Sequence, residues 1–425
     1  MSKNKRIPEL RFPEFKNKGE WEEKKISELG ETINGLTGKS GEDFGIGKPY
    51  VTYKQVFDNS IIDFKKCGKV QIGENENQNT LQKGDVLFTT SSETPNEVGF
   101  ASVLVDSPKE DIYLNSFCFA LRPFNMDKTQ PQFSRYLFHS SVYRKSVTAI
   151  AQGSTRYNLS KGAFLELQVS VPNPKEQQRI SSCLSSLDEV IAAHSHKLEL
   201  LKDHKKGLMQ NLFPREGEKV PKLRFKEFAK EGGWKLPKLE EKMDIFRGAS
   251  PRPQGDPRYY GGSIPRLMIE DVTRDGKYST PKIDSLTKEG AAKSRFLKKG
   301  SVVLSCSGTR VAIPGILKVD ACIHDGWLGF KNFKEVDSEF LYYHFCNLHD
   351  RIQANALAGG VFNNLTTTIL KELRLAFPTF KEQQKIASCL SSLDELITAQ
   401  ADKIEQLKLH KKGLMQGLFP KTIMN

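Results

Sequence analysis

Between residues 175 and 214 the chain sets a seam residue at alternating steps of four and three: Ile180, Leu184, Leu187, Ile191, His194, Leu198, Leu201, Lys205, Leu208 and Leu212. This spacing keeps one stripe of an α-helix turned to a partner and predicts a coiled-coil seam. The pattern returns at Ile386, Leu390, Leu393, Ile397, Gln400, Ile404, Leu407, Lys411, Leu414 and Leu418. Aligned without a gap, 175–214 and 381–420 agree at 29 of 40 positions, so one is a copy of the other. At 1.5 Å per residue each helix spans roughly 50 Å.

Two polar residues interrupt each seam, at matching places. His194 and Gln400 are expected to fix register at some expense in stability. Lys205 and Lys411 are expected to extend their amines to water and complement the helix dipole. Gly207 and Gly413 each cost about 1 kcal/mol relative to alanine and suggest close backbone packing or an early helix end.

The duplication is larger than the helices. PELRFPEF at 8–15 returns as PKLRFKEF at 221–228, Trp21 as Trp234, and LQKGDVLF at 81–88 as LKKGSVVL at 297–304. Between these marks the apolar skeleton stays comparable while the loops diverge. Val51–Phe57, Val86–Thr90 and Phe117–Leu121 read as strands in the first copy, Ile264–Ile269, Val302–Ser305 and Gly326–Phe330 in the second. Phe133–Ala149 and Phe340–Ala356 carry helical periodicity. The expected fold is α+β, with two mixed α/β domains at 1–155 and 215–360. Each is followed by a region, 156–214 and 361–425, that carries a long helix. The first helix arrives at the second domain and the second helix starts from it, so pairing within the chain is antiparallel. The domains are then expected at opposite ends of a rod, related by an approximate two-fold axis.

Composition narrows the class. No apolar run approaches the roughly 18 residues of a membrane helix, and no apolar signal core follows the basic N-terminal residues, which points to the cytoplasm. Seven cysteines stand singly without a C-x-x-C pair, which argues for free thiols. A formal charge of +13 and a pI near 9.2 favour a polyanionic partner, because lysines and arginines on phosphates release condensed counterions.

Candidate catalytic motifs are incomplete. Gly38-Lys39-Ser40 resembles the tail of a phosphate-binding loop, yet Ile33 stands where its first glycine belongs. The turn Asp256-Pro257-Arg258-Tyr259 resembles the Asp-Pro-Pro-Tyr of amino-methyltransferases, with the second proline replaced. The eight histidines show no H-E-x-x-H or other metal-binding spacing.

What remains are polar and basic loops with interleaved aromatics. In the first domain these supply Thr37, Lys39, Ser40, Tyr53, Lys54, Gln55, Thr89, Thr90, Ser91, Ser92 and Asn96, with Arg156 beyond them. In the second they supply Arg247, Ser250, Arg252, Gln254, Arg258, Tyr259, Tyr260, Arg266, Ser305, Ser307, Thr309 and Arg310. Arginine reads guanine bidentately, glutamine and asparagine read adenine, and hydroxyls hold phosphates. These are the candidate DNA-binding residues.

Several motifs resemble the specificity subunit of type I restriction-modification systems. They are GSTRYNLS at 153–160, then Val171-Pro172 and Pro174 before Glu176-Gln177. In the second copy they are Gly359 through Asn364-Leu365, Pro378 and Glu382-Gln383. Arg247 through Pro265 resembles the usual opening of a target-recognition domain in that family, and the first domain opens with Ile33 through Gly38. The resemblance implies a non-catalytic reader of double-stranded DNA. Each recognition domain would read half of a bipartite, asymmetric site, with the helices setting the spacer and docking the modification subunits. No cofactor is implied for this chain. Two modification subunits would use S-adenosylmethionine to methylate adenine, and two restriction subunits would use ATP and Mg. Major-groove faces on one side of DNA recur about every 34 to 36 Å, a distance a roughly 50 Å rod can bridge. The rival readings are a self-sufficient DNA adenine methyltransferase acting at the Asp256 turn, and a coiled-coil scaffold that binds no DNA.

Overall fold

The computed structural model of the chain describes residues 6–307, 311–357 and 365–421, with 351–357 as backbone alone. The chain divides into two compact units, Met1–Ser195 with Asp402–Asn425, and His196–Ala401. Each unit therefore owns half of each long helix, Pro174–Leu212 and Phe380–Leu418.

The first unit is built on a four-stranded antiparallel sheet in the order Gly30–Asn34, Cys118–Pro123, Val86–Thr89, Ala101–Val103. Val86–Thr89 is buried along its whole length, and Phe88 packs on Phe119, Phe138 and Phe164 with ring centroids 4.8 to 5.4 Å apart. A three-stranded sheet lies beside it, with Phe44–Val51 central between Gly68–Val70 and Tyr113–Leu114. The second unit repeats the plan. Asp244–Arg247, Trp327–Lys331, Val302–Ser305 and Pro314–Leu317 follow the same antiparallel order, extended by Tyr278–Ser279. Its companion sheet centres on Tyr260–Leu267 and Ala321–Ile323.

The sequence pattern misplaces three boundaries, each because a side-chain cap stops an element. The strand expected through Phe57 ends at Val51, and Thr52 starts a helix at Tyr53–Asp58 by accepting the Gln55 amide at 3.2 Å. The strand expected to Ile269 ends at Leu267, and a helix runs over Ile269–Asp275 with Asp271 Oδ2 accepting the Met268 amide at 3.1 Å. The helix expected over 133–149 is two helices, Pro131–Leu137 and Ser141–Ala149, the second capped by Ser140.

Each unit holds its halves of the long helices antiparallel. In the first, Ile180 and Leu184 share a core with Leu418 and Phe419, while Lys411 pairs with Asp188 further along. In the second, Leu212 and Phe213 meet Ile386 and Leu390, and Lys205 lies 2.5 Å from Asp394. The two seam lysines therefore do not reach for water. Asp188 and Asp394, where the repeat carries SSLDE, draw them into ion pairs that also take the Tyr136 hydroxyl at 2.9 Å and the Tyr343 hydroxyl at 2.6 Å. The helices continue through Gly207 and Gly413, and beyond the helix's own adjoining backbone no atom lies within 4 Å of where a Cβ would stand. These glycines neither end the helices nor bring backbones close.

The PELRF and PKLRF echoes join each domain to a long helix. Arg11 makes a bidentate pair with Glu176 at 2.7 and 2.8 Å, and Arg224 makes the same pair with Glu382 at 2.8 and 2.8 Å. Trp21 Nε1 also donates to Glu176 at 3.1 Å. The next residue completes the joint. Gln177 accepts the Gln130 amide and Gln383 the Asp337 amide, both at 3.0 Å, and each glutamine donates to two backbone carbonyls. All four helix residues are buried. Removing one partner of a buried charge pair leaves the other charge uncompensated. Glu176→Ala should therefore lower stability by about 3 kcal/mol in urea unfolding, and a paired Arg11→Leu, Glu176→Leu change should cost clearly less.

Candidate nucleic-acid interface

In both units a glycine at the end of the first sheet strand brings two loops together. A Cβ on Gly35 would stand 2.2 Å from the Asn115 carbonyl oxygen, and one on Gly248 would stand 2.1 Å from that of His324. Only a bare backbone fits there. The hydrogen bonds around the contact correspond as well. Leu36 donates to Leu114 and Ala249 to Ile323, while Leu159 donates to the Thr90 carbonyl and Leu365 to that of Cys306. Two frames with one wiring thus carry different side chains: Asn34 against Arg247, Thr37 against Ser250, Ser116 against Asp325, Phe117 against Gly326.

In the first unit this contact gathers Tyr53, Thr90, Ser91 and Arg156. Tyr53 donates to the Ser91 carbonyl at 2.7 Å, Arg156 Nε donates to Ser91 Oγ at 3.1 Å, and Thr90 donates its amide to the Phe117 carbonyl at 2.9 Å. Tyr157-Asn158 pairs with Ser91-Ser92 as a short ladder. Gly153 adopts φ +141°, and a Cβ there would stand 2.0 Å from the Arg156 carbonyl oxygen, so the GSTRYNLS turn needs glycine at its head. Lys161 joins the group through Asn34 Oδ1, and partial burial lowers the pKa of its amine.

The other first-domain candidates lie apart from this group or serve the fold. Thr89 is buried and accepts the Phe100 amide at 3.0 Å, and Ser92 donates to Glu97 at 2.7 Å. Asn96 is exposed, its carbonyl holding Arg144 at 2.7 Å. Gln55 is buried and donates to the Asp63 carbonyl at 2.7 Å, and Lys54 pairs with Asp58 at 2.6 Å. The loop of Thr37, Lys39 and Ser40 is tied back by Gln78, Glu76 and Asp43. The Lys39 amine is nearly covered, and its hydrogen bond helps hold the Glu76 carboxyl down at about 2.

In the second unit the centre is Asp325. It accepts from Ser250 Oγ at 2.5 Å, its carbonyl accepts from Arg247 Nε at 2.5 Å, and Arg252 lies 3.9 Å from its carboxylate. Arg266 lies beneath, buried, pairing with Asp284, donating to Ser250 Oγ at 3.0 Å and sitting 5.3 Å from the Tyr260 ring centre. Tyr260 donates to the Pro251 carbonyl at 2.9 Å. Ser305 is buried and accepts the Ile313 amide at 2.8 Å, and Ser307 is half-buried where the described strand region ends. Gln254 is exposed, whereas Tyr259 is buried and accepts from Lys293 at 2.6 Å. Arg258 closes on Asp256 at 2.7 Å, which holds that carboxyl below its ordinary range. Thr309, Arg310 and the run from Gly359 to Asn364 lie outside the described residues.

Sequence reasoning missed Asn34, Asn115, Phe117, Lys161, His324 and Asp325. The signal for them was the aligned pair Gly35 and Gly248, because a glycine closing a strand at the same place in both copies marks a close backbone approach.

The fold defines a class first: a duplicated protein, one domain plan carrying two different polar faces. The model of the type I restriction modification DNA specificity domain matches residues 18–203 and again 231–409, and the chain belongs to that family. It is a DNA-recognition subunit of a type I restriction-modification system, and neither rival reading finds support. It is 27% identical over 411 residues to the putative type I restriction enzyme MjaX specificity subunit of Methanocaldococcus jannaschii, covering 94% of this chain and 93% of the relative. The MjaVIII specificity subunit of the same organism is 26% identical over 431 residues, covering 96% and 93%. The crystal structure of the type I restriction-modification S subunit from M. genitalium shares the fold with a TM-score of 0.58 at 14% identity, over 98% of this chain and 100% of that one. A chain from a structure of type I restriction-modification complex assembly and conformational transition gives 0.60 at 17% identity, over 95% and 98%. No helix among the described residues is long and apolar enough to cross a membrane.

The Ser250 hydrogen bond, the largest cause, holds the Asp325 carboxyl below its ordinary pKa. A carboxyl depressed in the folded state stabilises that state above its unfolded pKa, and the contribution is lost as pH falls through the depressed value. Ser250→Ala should therefore raise the Asp325 pKa in an NMR carboxyl titration, shrink that contribution and complete its loss at a higher pH.

Proposed function

We propose that this chain is the non-catalytic specificity subunit of its complex, each unit reading one half of a bipartite, asymmetric site in double-stranded DNA. The carrying observation is the divergence of side chains over one hydrogen-bond frame that the two units share. Arg247, Ser250 and Asp325 stand in one unit where Asn34, Thr37 and Ser116 stand in the other. Two identical readers would need no such divergence. Because base edges in the major groove present distinct donor and acceptor patterns, different polar sets select different bases.

The chemistry belongs to partners in this reading. Two modification subunits with S-adenosylmethionine methylate adenine, and two restriction subunits with ATP and Mg cut, in the cytoplasm. Support comes from relatives named as specificity subunits and from the Asp256 turn, whose carboxylate is occupied by Arg258. The long helices act as the spacer ruler and as the docking surface for modification subunits. The Asp188 and Asp394 ion pairs fix which residues of the two helices meet.

Methylome sequencing of a host carrying this chain with its modification partner should reveal a split adenine motif, and exchanging one domain should change one half of it. The absence of any split motif would sink the reading. Deleting one heptad from each helix, residues 194–200 and 400–406, removes about 10 Å. The preferred spacer should then shorten by about 3 base pairs. An unchanged spacer would remove the ruler role.

A further inference from the structure

Phe117 is 53% exposed, with the Arg156 guanidinium over its ring. It is not a loose loop residue. Its amide donates to Asn115 Oδ1 at 2.9 Å, its carbonyl accepts from Thr90, and the Arg156 guanidinium stands 5.3 Å from its ring centre. The backbone of Phe117 is thus fixed beside Thr90, and its exposed ring lies against Arg156, which bonds Ser91. Gly326 holds the equivalent place in the other unit, so the frame does not require the ring.

An exposed aromatic beside an arginine and a hydroxyl has two physical uses on duplex DNA. It can wedge between base steps, which needs both ring faces free to stack, or it can touch the C5 methyl of a thymine in the major groove, which needs only one free face or edge. Arg156 already occupies one face of Phe117 at cation–π distance. We propose that Phe117 is a specificity-determining residue that reads a thymine in the half-site of the first unit through the thymine methyl group. This rests on the DNA-reading role above and adds the base and the residue.

The test is selection from two random duplex libraries, one containing thymine and one with uracil throughout in its place, by the full chain purified with its modification partner. The wild type should enrich a split motif in which one position of one half-site is thymine. That preference should weaken about fourfold with uracil, the worth of one buried methyl group. Phe117→Ala should bind the motif about tenfold more weakly and lose that preference while keeping the other half-site. The exposed ring makes misfolding of this variant no obstacle, and an unchanged melting temperature checks it.

A thymine preference unaffected by uracil, or retained in Phe117→Ala, overturns the proposal. So does a variant that loses the modification partner on gel filtration but keeps its base preferences, because the ring would then be an assembly contact. A library that yields no split motif even for the wild type removes the DNA-reading role itself, an outcome distinct from a split motif indifferent to Phe117.

Discussion

A carboxylate in the first turn of each long helix holds each recognition domain to its frame. Glu176 and Glu382 are buried, and a buried charge persists only where its acceptor sites are filled. Arg11 and Arg224 fill them with two parallel hydrogen bonds, a geometry that fixes orientation as well as distance. The carboxylates also lie where the helix dipole favours negative charge. Segments 165 and 158 residues apart in sequence are joined in this way. The neighbouring glutamines then fasten the approach to the domain's own helix, Pro131–Leu137 in one unit and Ser338–Leu357 in the other. With the joint fixed, the sheets and the loops at their ends have a defined footing.

The joint is duplicated almost without change, and the polar loops at the sheet ends are not. Where the frame is set by backbone hydrogen bonds and two glycines, side chains vary at little expense to the fold. The two units accordingly differ in kind. One gathers hydroxyls, an arginine and an exposed aromatic around Ser91, and the other gathers arginines around a carboxylate at Asp325. The frame and the divergent polar faces are thereby built from different residues of the same domain.

Much of the frame was legible in the sequence because repetition and periodicity are properties of the chain itself. The long helices, their antiparallel pairing and the main strands follow from spacing and connectivity. What stayed hidden depends on partners far away in sequence. Lys205 and Lys411 look like solvated last-turn lysines until Asp394 and Asp188 are placed beside them. Lys39 looks free until Glu76 covers it. Phe117 looks like a strand residue, since nothing local says that the strand begins one residue later, at Cys118. The caps at Thr52 and Asp271 were readable locally, but apolar runs crossing them masked the change of element.

The core of the first unit contains Phe419, whose ring packs 5.9 Å from Trp21 and 5.7 Å from Phe133. Synthesis proceeds from the N-terminus, so Trp21 and Phe133 leave the ribosome with their ring partner still some hundreds of residues from being translated. The core of the first unit therefore takes in a residue that is translated only after the whole of the second unit, residues 196–401. A chain interrupted before Phe419 would leave Trp21 and Phe133 without that ring partner, a gap in the domain made first.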